Sequence, residues 1–277
     1  MSLSNKIDFA VIFFVKNANP NGDPLNGNRP RTTYENLGEI SDVCLKRKIR
    51  NRFQDMGKEI FVQSDDNRKD DYGSLRERAD AALPAKATSK EIAKLACAKW
   101  IDVRAFGQLF AYKAKGKKVD GEDKGVSIGI RGPVTVQSAF SIEPVSLTST
   151  QITKSVSGEG DGTKRASDTM GMKHRVDHGI YVFFGSMNPQ LAERTGFNDE
   201  DAATVKSVLP TLFENDASSA RPEGTMGVLK VIWWKHNCPT GQYSSAKVHG
   251  SLLVNPDGTY SFKETLKGLS PEEISGF

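Results

Sequence analysis

"IDFAVIFFV", residues 7–15, is the stretch on which the fold turns. Odd and even positions alike carry β-branched or aromatic side chains, the pattern of a central strand buried on both faces. An apolar run so near the start also has the look of a signal peptide. Asp8 opens it, however, and no small-residue cleavage site follows, so a first strand is the better reading. The Asn/Gly/Pro-dense loop "NPNGDPLNGNRPR" (19–31) ends that strand. Ser41 then stands where an N-cap belongs, ahead of "DVCLKRKIRNRF", in which Leu45, Ile49 and Phe53 recur every four residues as the apolar stripe of a helix.

The remaining elements follow the same logic. Residues 64–74, "SDDNRKDDYGS", form a polar break, and its "DDNRKDD" cluster reads as a solvated loop. Two helical segments come next, about 74–83 and 88–99, separated by Pro84. "GKKVDGEDKG" (116–125) reads as an exposed tip, and residues 126–142 alternate as one or two strands interrupted at Gly132-Pro133. The stretch 153–171 is small, polar and without periodicity. "HGIYVFFGSM" (178–187) is a strand, residues 198–215 a helix with acids in its first turn, and 225–236 a further strand. The last dozen residues read as ragged, and no internal repeat is present. Stripped of insertions, the order is strand, helix, strands, helix, strand. That order fits an α+β fold built on a split βαβ sheet of the ferredoxin or RNA-recognition type.

At 277 residues the chain holds one large domain or two ordinary ones, and its 37% hydrophobic and 26% charged content is that of a globular protein. A formal charge of +4 is too small to argue for nucleic acid by itself. Cys44, Cys97 and Cys238 are odd in number and far apart, which suits neither a disulfide framework nor a thiolate metal site and points to a reducing cytoplasm. No apolar stretch reaches the length of a membrane span.

Two segments carry candidate chemistry. The helix after Ser41 bears Lys46, Arg47, Lys48, Arg50 and Arg52 with no acid between Lys46 and Arg52. Like charges at that spacing repel, which either a row of phosphates or an ordinary solvated face would relieve. In the loop 19–31, Asp23 is a candidate metal ligand or general base lacking the nearby second carboxylate or His such chemistry needs. It reads equally as an Asx-turn residue. Arg29 and Arg31 match phosphate oxygens as bidentate forks. "GEGDG" within 153–171 lacks the Lys-Ser/Thr of a phosphate-binding loop and does not match a calcium loop. The four histidines show no metal-binding spacing, and there is no Gly-x-Ser-x-Gly elbow. Trp233 and Trp234 point to opposite strand faces, one into a core, the other free to pack or to stack on a base.

The blocks "NPNGDP…GNRPR", "LKRKIRNRF", "DVRAFGQLF", "IRGPVTVQSAFSI", "MGMKHRVDHGIYVFFGSMNPQLAERTGF" and "LFENDASSARPEGTMGVLKV", in that order, resemble the backbone subunit of CRISPR-associated Cascade complexes, closest to the type I-C (Dvulg) subtype. The resemblance spans about residues 6–236. It implies an RNA-recognition-like palm (about 6–54, 126–147 and 173–236), a helical insertion (about 55–125), a β-hairpin thumb (about 148–172) and a segment 237–277 to which no role is carried over. It also implies that copies of the chain polymerise along the guide of a CRISPR RNA (crRNA), each thumb displacing one base. Other Cascade subunits complete the complex, target DNA is read by pairing with the guide, and a separate helicase-nuclease is recruited to cut. No metal or cofactor is implied. The residues that match the family's RNA contacts are Lys46, Arg47 and Arg50 on the helix and Asn19, Arg29 and Arg31 on the loop. In the thumb they are Ile152 and Val156 as wedges and Lys154 on phosphate, with Lys173, His174 and Arg175 at the base. "GEGDGTKRASD" is more glycine-rich and acidic than such a thumb. Related type III backbone subunits cleave RNA with a loop aspartate, which keeps a metal-dependent ribonuclease using Asp23 as the alternative; the closer type I-C likeness argues against it.

Overall fold

The computed structural model describes residues 2–84, 87–112, 126–153 and 170–277. The expected tip 116–125 and the candidates Lys154 and Val156 lie outside the described residues.

The first strand, β1 (Ile7–Ala18), is buried almost throughout. The loop after it folds on two short paired strands, β2 (Gly22–Asp23) and β3 (Arg29–Pro30), before β4 (Leu37–Ile40) leads to helix α1 (Asp42–Asp55). Ser41 Oγ accepts the Cys44 N–H and caps that helix, and Leu45, Ile49 and Phe53 are all fully buried, as their spacing requires. An insertion follows: α2 (Leu75–Ala82), α3 (Ser89–Lys99), α4 (Ile101–Phe106), and the hairpin of β5 (Gly107–Tyr112) with β6 (Val126–Arg131). Phe61, Trp100 and Phe110 anchor its own small core. The chain then returns through β7 (Val134–Val136), β8 (Ala139–Pro144), β9 (Leu147–Thr153) and the 18-residue β10 (Met170–Met187). Helices α5 (Pro189–Thr195) and α6 (Asp199–Val208) precede β11 (Met226–Lys235). Last come α7 (Ser245–Ser251), the pair β12 (Leu252–Val254) and β13 (Tyr260–Phe262), and β14 (Glu272–Ser275).

The main sheet runs β14-β11-β1-β10-β8-β4, every pairing antiparallel. Phe9, Val11, Phe13 and Val15 of β1 face the helices α1 and α6, in one core with Phe183, Val231 and Trp233. The opposite side chains, Ala10 and Ile12, meet Trp234, Val248, Leu252 and Leu266. Residues 237–277 therefore close the second face of the sheet, which explains why both parities of β1 are apolar. Asp8, wholly buried, ties the layers together: its Oδ2 accepts from His236 Nε2 at 2.9 Å and lies 3.4 Å from Lys6 Nζ.

Several expectations change. The closing residues are not ragged, because β14 pairs with β11 from Lys230↔Ser275 to Trp233↔Glu272. Both tryptophans are core, so neither is available to a base. Residues 126–142 hold three strands rather than one or two, with Gly132 at the break because a Cβ there would lie 2.2 Å from the Ala105 carbonyl. The acidic cluster of 64–74 is not simply solvated: Asp70 takes a bidentate fork from Arg78, with both bonds at 2.7 Å. The strand expected at 178–187 begins at Met170, eight residues sooner. Among the described residues no helix is long and apolar enough to cross a membrane.

Candidate nucleic-acid interface

The loop 19–31 is a turn held by its own backbone. Asp23 Oδ1 accepts the Leu25 N–H at 3.2 Å, and the Asp23 carbonyl accepts the Asn28 N–H at 2.8 Å. Gly27 and Asn28 both adopt left-handed φ, near +60°, which is why those residue types occupy the bend. Asp23 is thus a turn residue, and its Oδ1 also lies 3.3 Å from Arg31 Nη2. Arg29 is exposed on β3, and Arg31 is partly exposed beside it. Asn19 is buried: its N–H donates to the Ala220 carbonyl and its Nδ2 to the Asn28 carbonyl, bracing the loop from inside.

On α1 one acid is local, Asp42 in the first turn, and the others are supplied by distant parts of the chain. Lys46 pairs with Asp42 at 2.9 Å and Arg47 with Asp66 at 3.2 Å. Lys48, buried over the Phe213 ring, pairs with Asp216. Arg50 Nε bonds Asp102 at 2.9 Å, and Asp102 also accepts the Phe61 and Val62 amides. These carboxylates relieve the like-charge repulsion along α1 without a row of phosphates. Arg50 ties α1 to the insertion and does not face solvent as a free contact. Lys46 and Arg47 stay at the surface.

Between this helix, the loop and the segment 215–221 lies a polar cleft of about 220 Å³, walled by Asn21, Arg47, Asn51, Asp66, Asp216 and Arg221. Arg221 Nε donates to Asp216 at 3.1 Å, so one carboxylate joins Arg221 to the Lys48 floor. Arg221 was not singled out from sequence. Its signal is slight, a single arginine between small residues and a proline in "SSARPEG".

The strands β9 and β10 extend as a two-stranded arm, since β10 pairs with β9 from Met170 to Val176 while its β1 partners begin only at Val176. Register puts Thr150, Ile152, Lys173 and Arg175 on one face of the arm and Met170, Met172 and His174 on the other. Ile152 and Lys173 are exposed, and Arg175 is half-exposed with Nε 3.4 Å from Asp177. His174 is buried with Nδ1 2.8 Å from Ser149 Oγ, so it supports the arm rather than facing outward. Among the described residues no group of three or more His, Cys, Asp or Glu side chains is placed to hold a metal ion.

A CRISPR-associated protein Cas7 of Haloferax volcanii is 25% identical over 293 aligned positions, covering 95% of this chain and 79% of the relative. A chain of a solved "CRISPR RNA-guided surveillance complex, pre-nicking" superposes with a TM-score of 0.50 at 14% identity, over 83% of this chain and 78% of that one, a likeness of fold. A chain of another solved CRISPR RNA-guided surveillance complex gives 0.46 at 16% identity, over 92% and 77%. The family model described as CRISPR-associated protein Cas7 matches residues 5–270, and the chain belongs to that family.

Proposed function

We propose that this protein is a backbone subunit of a type I-C CRISPR surveillance complex. It packs copy against copy along a crRNA, holds the guide by its phosphates and does not cut it. The observation that carries the reading is the cleft where α1, the loop 19–31 and residues 215–221 bring Arg47 and Arg221 together within reach of an arginine-bearing turn. The sheet order β11-β1-β10-β8, with α1 after β1 and α6 after β10, supports a palm of the RNA-recognition type. Because 237–277 cover one face of that sheet and the helices the other, the guide runs along the loop-and-helix edge and under the β9–β10 arm. The residues assigned to it are Arg29, Arg31, Lys46, Arg47 and Arg221, with Ile152, Lys173 and Arg175 from the arm; Lys154 and Val156 are assigned from the family resemblance alone. Asn19, Arg50 and His174 hold these in place from within. Asp23 spends its carboxylate on the Leu25 amide and Arg31, which favours the non-catalytic reading over a ribonuclease. Target DNA, other subunits and a recruited helicase-nuclease meet the chain through the assembled guide. Co-expression with a CRISPR array tests this: the protein should purify in a large assembly containing crRNA, and RNA-free protein under those conditions would refute it.

A further inference from the structure

The segment 63–72 crosses α1 as a strap on the wall of the cleft. Gln54 Nε2 donates to the Asn67 carbonyl at 3.2 Å and Lys69 Nζ to the Gln54 carbonyl at 2.9 Å. Asp66 Oδ1 accepts from Arg47 Nη2, yet the Asp66 side chain remains 80% exposed. On the stretch of α1 beside the strap, Arg47 Nε, Asn51 Oδ1 and Gln54 Oε1 are sealed from solvent and make no hydrogen bond. These three residues are four and three apart and so lie on one stripe of the helix. Sealed polar groups without partners are costly, and an ion pair as exposed as Asp66–Arg47 returns little. The strap is therefore closed against a standing penalty, at the place where the cleft offers its most accessible guanidinium.

We propose that Arg47 is a phosphodiester seat which, in the free chain, the Asp66 carboxylate occupies, and that a backbone phosphate of bound RNA displaces Asp66 and lifts the strap. This rests on the reading of the cleft as the guide-binding site. A carboxylate and a phosphodiester present the same pair of anionic oxygens to a guanidinium fork. The Asp66 carboxyl is kept below its ordinary pKa by a backbone hydrogen bond and, after that, by the Arg47 charge, so it competes as the anion. With Asp66 displaced, the idle Nε and Nη2 of Arg47 can engage a phosphate together, and Asn51 and Gln54 gain access to water.

The test compares affinities for one single-stranded RNA across Asp66→Asn, Asp65→Asn and Arg47→Ala, and across the Arg47→Ala/Asp66→Asn and Arg47→Ala/Asp65→Asn pairs. Asp65 is the exposed neighbouring acid with no ion pair among the described residues, so its variant measures the general effect of removing a negative charge. Asp66→Asn should tighten binding several-fold more than Asp65→Asn, and that excess should vanish in the Arg47→Ala background. Amide exchange in 63–70 should rise when RNA binds. Equal gains from the two asparagine variants, an excess that survives Arg47→Ala, or increased protection of the strap on binding would overturn the proposal alone. Failure of every protein to bind RNA would remove the guide-binding reading and this proposal with it.

Discussion

Arg47 and Arg50 stand one turn apart on α1 and are alike on paper, but the fold separates their roles. Arg50 meets the fully buried Asp102, and removing one partner of such a pair leaves an uncompensated charge inside. Arg50→Ala should cost about 3–5 kcal/mol, read as a fall in the urea midpoint. Arg47→Ala should change stability by less than about 1 kcal/mol and instead weaken RNA binding. Equal effects of the two on stability would contradict the assignment. Asp8 offers a second check. Burial pushes its carboxyl pKa up, but polar contacts from His249, Ser245 and His236 and the Lys6 charge outweigh this and hold it at about 2, below the ordinary 3.8. A folded-state pKa below the unfolded one means the stabilisation is present above pH 3.8 and is lost as pH falls toward 2, about 2 kcal/mol in all. Asp8→Asn should lower stability at neutral pH and flatten its dependence between pH 4 and 2; an unchanged acid limb would show that other carboxylates dominate there.

Elements were legible where periodicity and caps agree. The sequence of β1 alone shows that it is covered twice, and Ser41 with Leu45, Ile49 and Phe53 locates α1 within a residue or two. The acids of its first turn mark the start of α6, but the helix expected over 198–215 ends at Val208, just before Pro210. What was hidden lacks a buried face or depends on remote partners. Met170 to Lys173 are exposed on both faces of the arm, so no alternation marks the start of β10. The edge strand β14 is mostly exposed and is defined by β11. α5 is only seven residues long. The counter-ions of Arg47, Lys48 and Arg50 lie 19, 168 and 52 residues away, which is why the basic run looked free of acids. The arm also yields a prediction at this scale. Among the described residues the arm beyond Val176 pairs only with itself, so replacing 154–169 with a short Gly-Ser turn should leave the unfolding midpoint nearly unchanged. The same replacement should abolish any periodic nuclease protection of the bound guide. Retained periodicity would place the thumb elsewhere.

For the molecule as a whole, two cores flank one antiparallel sheet, and the proposed binding surface is what they leave: its edge, the loop 19–31, the α1 cleft and the arm. On the proposed reading, such a surface would grip phosphate and leave base edges free, as a guide to be read by pairing requires. A non-catalytic scaffold should leave RNA intact with magnesium or manganese, and Asp23→Ala should bind RNA nearly as well as the wild type. Metal-dependent cleavage lost in Asp23→Ala would establish the ribonuclease instead. The central claim, phosphate-directed binding at the cleft, is tested most directly by the salt dependence of affinity for two unrelated single-stranded RNAs, with the wild type and with Arg47→Ala/Arg221→Ala. The account predicts equal affinities for the two sequences. It also predicts a log-log slope of about −0.7 per neutralised phosphate, shallower by about 1.4 in the double variant. A salt-independent affinity, a strong preference between the sequences, or a slope unchanged by the two substitutions would contradict it.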